Sequence, residues 1–186
     1  MGGCGFPTSC SQTYRPSGVE VQAGSAVPSV QDDSTRARQA VRQTRWAYFD
    51  TSVLVKRYVK EQGSAASRRL LQRYRFLSLA IAPVEVLSVL NRRWRVGDLT
   101  QRDFSAIRSR LRKDRHYWEL VEVGEIVLNR AEELAHKSGL RTLDALHLAS
   151  ALTFQAASGL TIPFITADVG QRKATETLGL DLIWVE

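Results

Sequence analysis

The sequence predicts an α/β fold in which helices cover both faces of a central parallel sheet. Short apolar segments of strand length alternate with longer segments that have helical periodicity. This alternation is typical of parallel sheets built from strand–helix units. A chain of 186 residues, 44% hydrophobic and 24% charged, is long enough for one domain with a buried core.

The first half of the fold begins with a short apolar run. Residues 46–49 (WAYF) predict a buried strand, and residues 52–59 begin a helix. Residues 64–75 have apolar positions at helical spacing and a basic opposite face, which predicts a second helix. Residues 76–81 are again apolar and predict the second strand.

The remaining elements are bounded by residues that start or stop helices. Pro83 fits the first turn of a helix, where its missing N–H costs little. Thr100 and Thr142 are good N-caps for the helices after them, and Gly139 ends the helix before it. The further predicted helices cover residues 83–95, 101–114, 125–137, 143–157 and 168–178, and the further strands cover 117–123, 162–166 and 182–185.

The N-terminal segment, residues 1–45, differs from the rest of the chain. It is rich in Gly, Ser, Gln, Pro and Thr and has no periodicity, so it cannot bury enough apolar area to offset its ordering entropy. We expect a disordered tail there, or a wrongly assigned start site. Cys4 and Cys10 both lie in it and are expected to be free thiols.

Targeting and membrane signals are missing from the sequence. The first residues lack the apolar core of a secretory signal. No stretch approaches the roughly 18 apolar residues of a membrane span. We therefore expect a cytoplasmic protein with no membrane partner.

The net charge of +7 is unevenly distributed. Residues 56–75 hold seven basic side chains against one acidic one, and residues 92–115 hold nine against three. A basic surface of this kind suits a polyanion such as RNA. Solvated helix faces explain the same counts, so charge alone leaves both interpretations open.

Four acidic residues lie directly after predicted strands or in the first turns of predicted helices. Asp50 and Asp168 follow apolar strands, whereas Glu85 and Asp144 lie in the first turns of helices. The carboxyl ends of strands line the ligand crevice in an open α/β sheet. Four acids at that edge would repel one another and bind a divalent metal ion. Oxygen ligands without His or Cys favour Mg²⁺ or Mn²⁺.

Each acid also has a purely structural explanation. Asp is a good N-cap, and an acid in the first turn of a helix gains about 0.3–1 kcal/mol from the helix dipole. The metal hypothesis rests on all four acids occurring at equivalent places. A phosphatase of the haloacid-dehalogenase type is excluded, because it needs a second Asp where this chain has Ser52.

Four stretches, in order, carry a specific resemblance. They are Tyr48–Tyr58 (YFDTSVLVKRY), Ala82–Leu90 (APVEVLSVL), Arg141–Ala151 (RTLDALHLASA) and Phe164–Asp168 (FITAD). With these stretches, residues 46–186 resemble a PIN domain, and in particular the VapC-type toxins of bacterial toxin–antitoxin pairs. The resemblance implies a PIN-like three-layer α/β/α sandwich, and residues 1–45 fall outside it.

The resemblance also implies an activity, a metal-dependent endoribonuclease that uses Mg²⁺ or Mn²⁺ and is inhibited by a cognate antitoxin. It assigns all four acids to the catalytic metal site, with Asp50 and Asp144 as the direct ligands. Glu85 and Asp168 would complete the site directly or through water. Thr51 and Thr166 match supporting hydroxyl positions.

Two other functions fit the same sequence. One is a PIN-fold ribonuclease that processes RNA without an antitoxin. The other is a nucleic-acid-binding module whose catalytic site has decayed, and the presence of all four acids argues against it.

Further residues are secondary candidates. Lys56 and Arg57 follow the first acid closely and are expected to hold RNA phosphates, or else to be a solvated helix end. His147, three residues after Asp144, is expected to pack or to support the site rather than to bind metal. The helices between residues 83 and 115 are predicted to form a homodimer face and part of the RNA groove, because apolar residues at helical spacing lie beside the arginines there: Val84, Leu87, Leu90 and Trp94.

Overall fold

The computed structural model describes residues 45–186, which form five strands and seven helices. The strands are β1 (Trp46–Phe49), β2 (Arg75–Leu79), β3 (Glu119–Val121), β4 (Phe164–Thr166) and β5 (Leu182–Trp184). The helices are α1 (Thr51–Tyr58), α2 (Ser64–Arg73), α3 (Ala82–Arg95), α4 (Gln101–Asp114), α5 (Glu125–Ser138), α6 (Thr142–Ser158) and α7 (Val169–Thr177).

All strand pairs of the sheet are parallel, and the strand order is β3-β2-β1-β4-β5. The chain moves outward from β1 through β2 to β3 and then crosses to the other side of β1 to form β4. The order therefore reverses between β1 and β4. In open α/β sheets, ligands bind outside the carboxyl ends of the strands at such a reversal.

Two apolar cores lie on opposite faces of the sheet, because successive residues of a strand point to opposite sides. Tyr48 of β1 packs in one core with residues of α5 and α6. Ala47 and Phe49 pack in the other with residues of α1, α3 and α4. This arrangement confirms the predicted three-layer α/β/α sandwich.

Several predicted boundaries were wrong by one or more residues, and three of them have a clear physical reason. Arg141, not Thr142, is the N-cap of α6, since the carbonyl of Arg141 already accepts the first helical bond from Ala145. A 3-10 turn at Arg115–Tyr117 shortens the third strand. The fourth begins at Phe164, because Pro163 has no N–H for the sheet ladder.

The sequence predicts disorder for residues 1–45. Of these, residues 1–44 lie outside the part of the chain that the structure describes. Within residues 45–186, none of the helices combines the length and the apolar character that crossing a membrane requires.

Candidate active site

A cleft of about 390 Å³ lies at the carboxyl edge of the sheet and contains all four predicted acids. Asp50 follows β1 and Asp168 follows β4, the two strands at the reversal of strand order. Glu85 comes from the first turn of α3, and Asp144 comes from the first turn of α6. The structure thus brings together residues that lie as much as 118 positions apart in the sequence.

Asp50 is the most buried of the four, at 3% exposure. Its Oδ2 accepts hydrogen bonds from the backbone N–H and the hydroxyl of Ser52 and, at 3.2 Å, from the Thr166 hydroxyl. Its Oδ1 accepts a bond of 3.0 Å from the amide of Gln171. Asp50 is therefore the N-cap of α1 as well as a cleft residue, and both oxygens of its carboxylate accept hydrogen bonds.

Glu85 and His147 form the second fixed part of the cleft. Glu85 Oε2 accepts a 2.9 Å bond from the Thr51 hydroxyl and lies 2.9 Å from His147 Nε2. The other ring nitrogen of His147 bonds to the Tyr48 hydroxyl at 3.0 Å. His147 is 1% exposed, so it is packed beneath the cleft, and its supporting role in the site stays a prediction.

This pair shifts the pKa values of both partners. Burial alone would lower the pKa of His147, but its hydrogen bond to Glu85 and the charge of Asp50 raise the pKa above its usual value. Burial would raise the pKa of Glu85, whereas His147 and Thr51 lower it below its usual value. Both shifts favour the charged forms of the pair.

The negative charge of Asp144 is less well compensated than that of Glu85. Burial raises its pKa above the usual value, and the nearby charges of Asp168 and Asp50 raise it further. Its hydrogen bond from Gln171, 3.2 Å long, acts in the opposite direction. Repulsion between clustered carboxylates is what a cation would relieve.

Asp168 is exposed and caps α7 by accepting a 2.9 Å bond from the backbone N–H of Gln171. The Thr166 hydroxyl, which donates to Asp50, accepts in turn from the backbone N–H of Asp168 at 3.0 Å. Thr166 thus connects the acids that follow β1 and β4.

Basic side chains stand on one wall of the cleft. Lys56 Nζ lies 3.5 Å from Glu61, and Arg93 also pairs with Glu61. All three residues line the cleft. Arg57 does not line it: its Nε bonds to Asp114 at 2.9 Å, beside a separate cavity of about 310 Å³.

The donor set of the cleft suits a hard divalent cation. The available ligands are carboxylate oxygens, with Thr51 and Ser52 hydroxyls beside them, and such oxygens suit Mg²⁺ or Mn²⁺. Within residues 45–186, no group of three or more His, Cys, Asp or Glu side chains is arranged so that it could hold a metal ion as it stands. Mg²⁺ usually keeps several of its waters and binds proteins through one or two carboxylates.

Arg93, Glu61 and Gln171 belong to the cleft but were not predicted from the sequence. Arg93 had a signal, because Glu85 and Arg93 lie eight residues apart and therefore on one face of α3. Glu61 precedes α2 and has no pattern that points to the cleft. Gln171 occupies a position that reads as an ordinary capping residue.

Comparison with known proteins identifies relatives of this chain. The family model described as PIN domain matches residues 47–176. Ribonuclease VapC46 of Mycobacterium tuberculosis is 35% identical over 137 residues, which cover 73% of this chain and 95% of that protein.

Two solved structures share the fold. A toxin–antitoxin complex from Klebsiella pneumoniae contains a chain with a TM-score of 0.50 and 17% identity, matching 66% of this chain and 86% of that one. The crystal structure of PAE2754 from Pyrobaculum aerophilum has a TM-score of 0.51 and 18% identity, matching 74% of this chain and 90% of that one. At these identities the likeness concerns the fold alone.

Proposed function

Because the chain belongs to the PIN-domain family, we propose that it is a metal-dependent endoribonuclease and the toxin of a toxin–antitoxin pair. The observation that carries the proposal is the meeting of Asp50, Glu85, Asp144 and Asp168 in one cleft. The similarity to a protein named a ribonuclease supports RNA as the substrate. We assign the nuclease domain to residues 46–186 and place the protein in the cytoplasm, where RNA and an antitoxin are made.

The residues of the cleft have distinct roles in this proposal. Asp50 and Asp144 would hold Mg²⁺ or Mn²⁺ directly, and Glu85 and Asp168 would hold it directly or through water. Thr51 fixes the Glu85 carboxylate, just as Thr166 fixes Asp50. When bound there, such an ion activates water as the nucleophile and stabilises the leaving oxygen of the phosphodiester.

The RNA backbone would lie against the basic wall of the cleft. Lys56 and Arg93 both pair with Glu61 in the free protein. A phosphate entering the cleft can replace this carboxylate as the charge-assisted hydrogen-bonding partner of both cations. Arg57 is already paired with Asp114 outside the cleft, so its contact with RNA stays a prediction.

We place the antitoxin in an apolar groove between α3 and α4. Val84 is 68% exposed there, and Trp94 stacks on Phe104 with ring centroids 5.2 Å apart. Arg108 and Arg112 flank the groove. Apolar lining with basic edges is complementary to an amphipathic helix with acidic residues.

The homodimer predicted for this region of the chain stays a prediction. A twofold interface presents the same patch from both copies, so dimerisation through this groove would bring the arginines of two copies together. Light scattering at micromolar concentration tests it, and a strictly monomeric protein would contradict it.

Cleavage assays test the nuclease proposal. The full chain is incubated with single-stranded and structured RNA in Mg²⁺ or Mn²⁺, next to Asp50→Asn and Asp144→Asn. We expect cleavage by the wild type only and complete inhibition by EDTA. Cleavage that persists in both variants or in EDTA would overturn the proposal. Inhibition of cleavage by a co-expressed antitoxin would separate a toxin from an RNA-processing enzyme.

A further inference from the structure

Gln171 connects two of the acids, although its side chain is neutral. It lies in the first turn of α7 and is 1% exposed, which is unusual for a glutamine. Its Nε2 donates to Asp50 Oδ1 at 3.0 Å and to Asp144 Oδ1 at 3.2 Å. One amide thus ties together the start of α1 and the start of α6.

The chemistry of the amide fixes which end faces the acids. A primary amide nitrogen carries two hydrogens, so it can donate to two acceptors at once, whereas ionised carboxylates only accept. The nitrogen therefore lies between the carboxylates, and its partial positive charge reduces their repulsion.

The opposite end of the side chain has no comparable support. Gln171 Oε1 is buried without a hydrogen-bond partner among residues 45–186, which destabilises the folded protein. The two carboxylate bonds hold the side chain in place despite this cost.

A capping role does not explain the side chain either. With Asp168 as N-cap, Gln171 has the sequence position from which a side chain reaches back to the N-cap N–H. That N–H already donates to the Thr166 hydroxyl. The Gln171 side chain is thus directed into the acidic cleft.

We infer that Gln171 is a positioning residue of the metal site, which holds Asp50 and Asp144 at the separation that a divalent cation requires. The inference rests on the proposed metal site. Asp50 Oδ2 is taken up by Ser52 and Thr166, so Oδ1 is the atom that it can offer to a cation. Each Oδ1 keeps a second lone pair while it accepts from Gln171.

Removing this support weakens metal binding. Hydrogen-bond partners of metal-binding side chains typically contribute about 10- to 100-fold to metal affinity. Without Gln171 the two carboxylates repel each other, and the ion must bring them together again. We expect Gln171→Met, which keeps the length but has no donor, to raise the Kd for Mn²⁺ by that factor.

The experiment is calorimetric titration of Mn²⁺ into the metal-free full chain, with thermal unfolding of each variant in EDTA. Gln171→Asn is included because its amide is one methylene shorter and cannot span both acids, so its Kd should also rise. Thr175→Val is the matched control: Thr175 is buried in the same helix, and among residues 45–186 its hydroxyl bonds only to the Gln171 carbonyl. It should lower the thermal stability without changing the Kd.

Each outcome has a distinct meaning. A wild type that binds no Mn²⁺ overturns the metal site and the role of Gln171 with it. A wild type that binds Mn²⁺ while the Gln171 variants bind as tightly, or more tightly, overturns only the positioning role. A Kd that rises equally in Thr175→Val shows a merely structural effect and also overturns it.

Discussion

Replacing Asp50 and Asp144 separately by Ala should have very different consequences for the stability of the metal-free protein. Asp50→Ala removes the N-cap of α1, which is worth about 1 kcal/mol. It also leaves donors of Thr166 and Gln171 without an acceptor, at about 1–3 kcal/mol for each buried group. We expect a loss of about 3–7 kcal/mol in the free energy of unfolding.

Asp144→Ala removes one accepted hydrogen bond, that from Gln171. It also removes a carboxylate that is repelled by Asp50 and Asp168. Because these effects oppose each other, the free energy of unfolding should stay within about 1 kcal/mol of the wild type. Both variants should be inactive, so activity alone cannot separate an acid with a structural role from one without it.

Urea unfolding in EDTA at pH 7 measures the difference, with Glu132→Ala as an exposed control that should change stability by less than about 0.5 kcal/mol. The pH dependence provides a sign test. The pKa of Asp144 is raised in the folded state above its usual 3.8, so its stabilising contribution is present below pH 3.8 and is lost as the pH rises through the folded pKa. Asp144→Ala should therefore gain stability relative to the wild type over that rise. Equal losses in the two Ala variants would refute this reasoning.

Three further predictions concern His147, the basic wall and the groove. The pKa of His147 is raised in the folded state above its usual 6.5, so its stabilising contribution is present below pH 6.5 and is lost as the pH rises through the folded pKa. Thermal unfolding from pH 6 to 9 should show this loss in the wild type. A loss of equal size in His147→Gln would contradict it. Glu61→Gln should free Lys56 and Arg93 and tighten RNA binding in EDTA by about two- to fivefold, since such ion pairs are worth about 0.2–1 kcal/mol; unchanged fluorescence anisotropy titrations would argue against the basic wall. Val84→Asp should leave cleavage intact but weaken antitoxin binding more than about tenfold, and full inhibition of this variant by the antitoxin would move the docking site elsewhere.

The fold was predictable because its signals are local. Pro83 and Thr100 mark helix starts at the observed places, and the apolar run at residues 46–49 forms β1. Thr142 misled the prediction because a good capping residue can also be the first residue of a helix. These errors moved boundaries by a few residues and left the order of elements unchanged.

The four acids were predictable as a group because parallel strands end at the same edge of the sheet. Gln171 and Glu61 were not, because their contacts depend on how α7 and the loop before α2 pack against other elements. The Thr166 hydroxyl accepts the hydrogen bond from the backbone N–H of Asp168. The Gln171 side chain therefore does not bond to that N–H, although its position in the first turn of α7 would permit it. No local sequence pattern indicates which of these two side chains bonds to the Asp168 N–H.

We propose that these carboxylates form one divalent cation site. Crystals of the full chain soaked in Mn²⁺ test it directly through the anomalous signal of manganese. We expect a peak in the cleft between Asp50 and Asp144 that is absent from crystals of Asp144→Asn soaked in the same way. A fully soaked wild-type crystal with no peak in this cleft, or with its peak elsewhere, would contradict the claim.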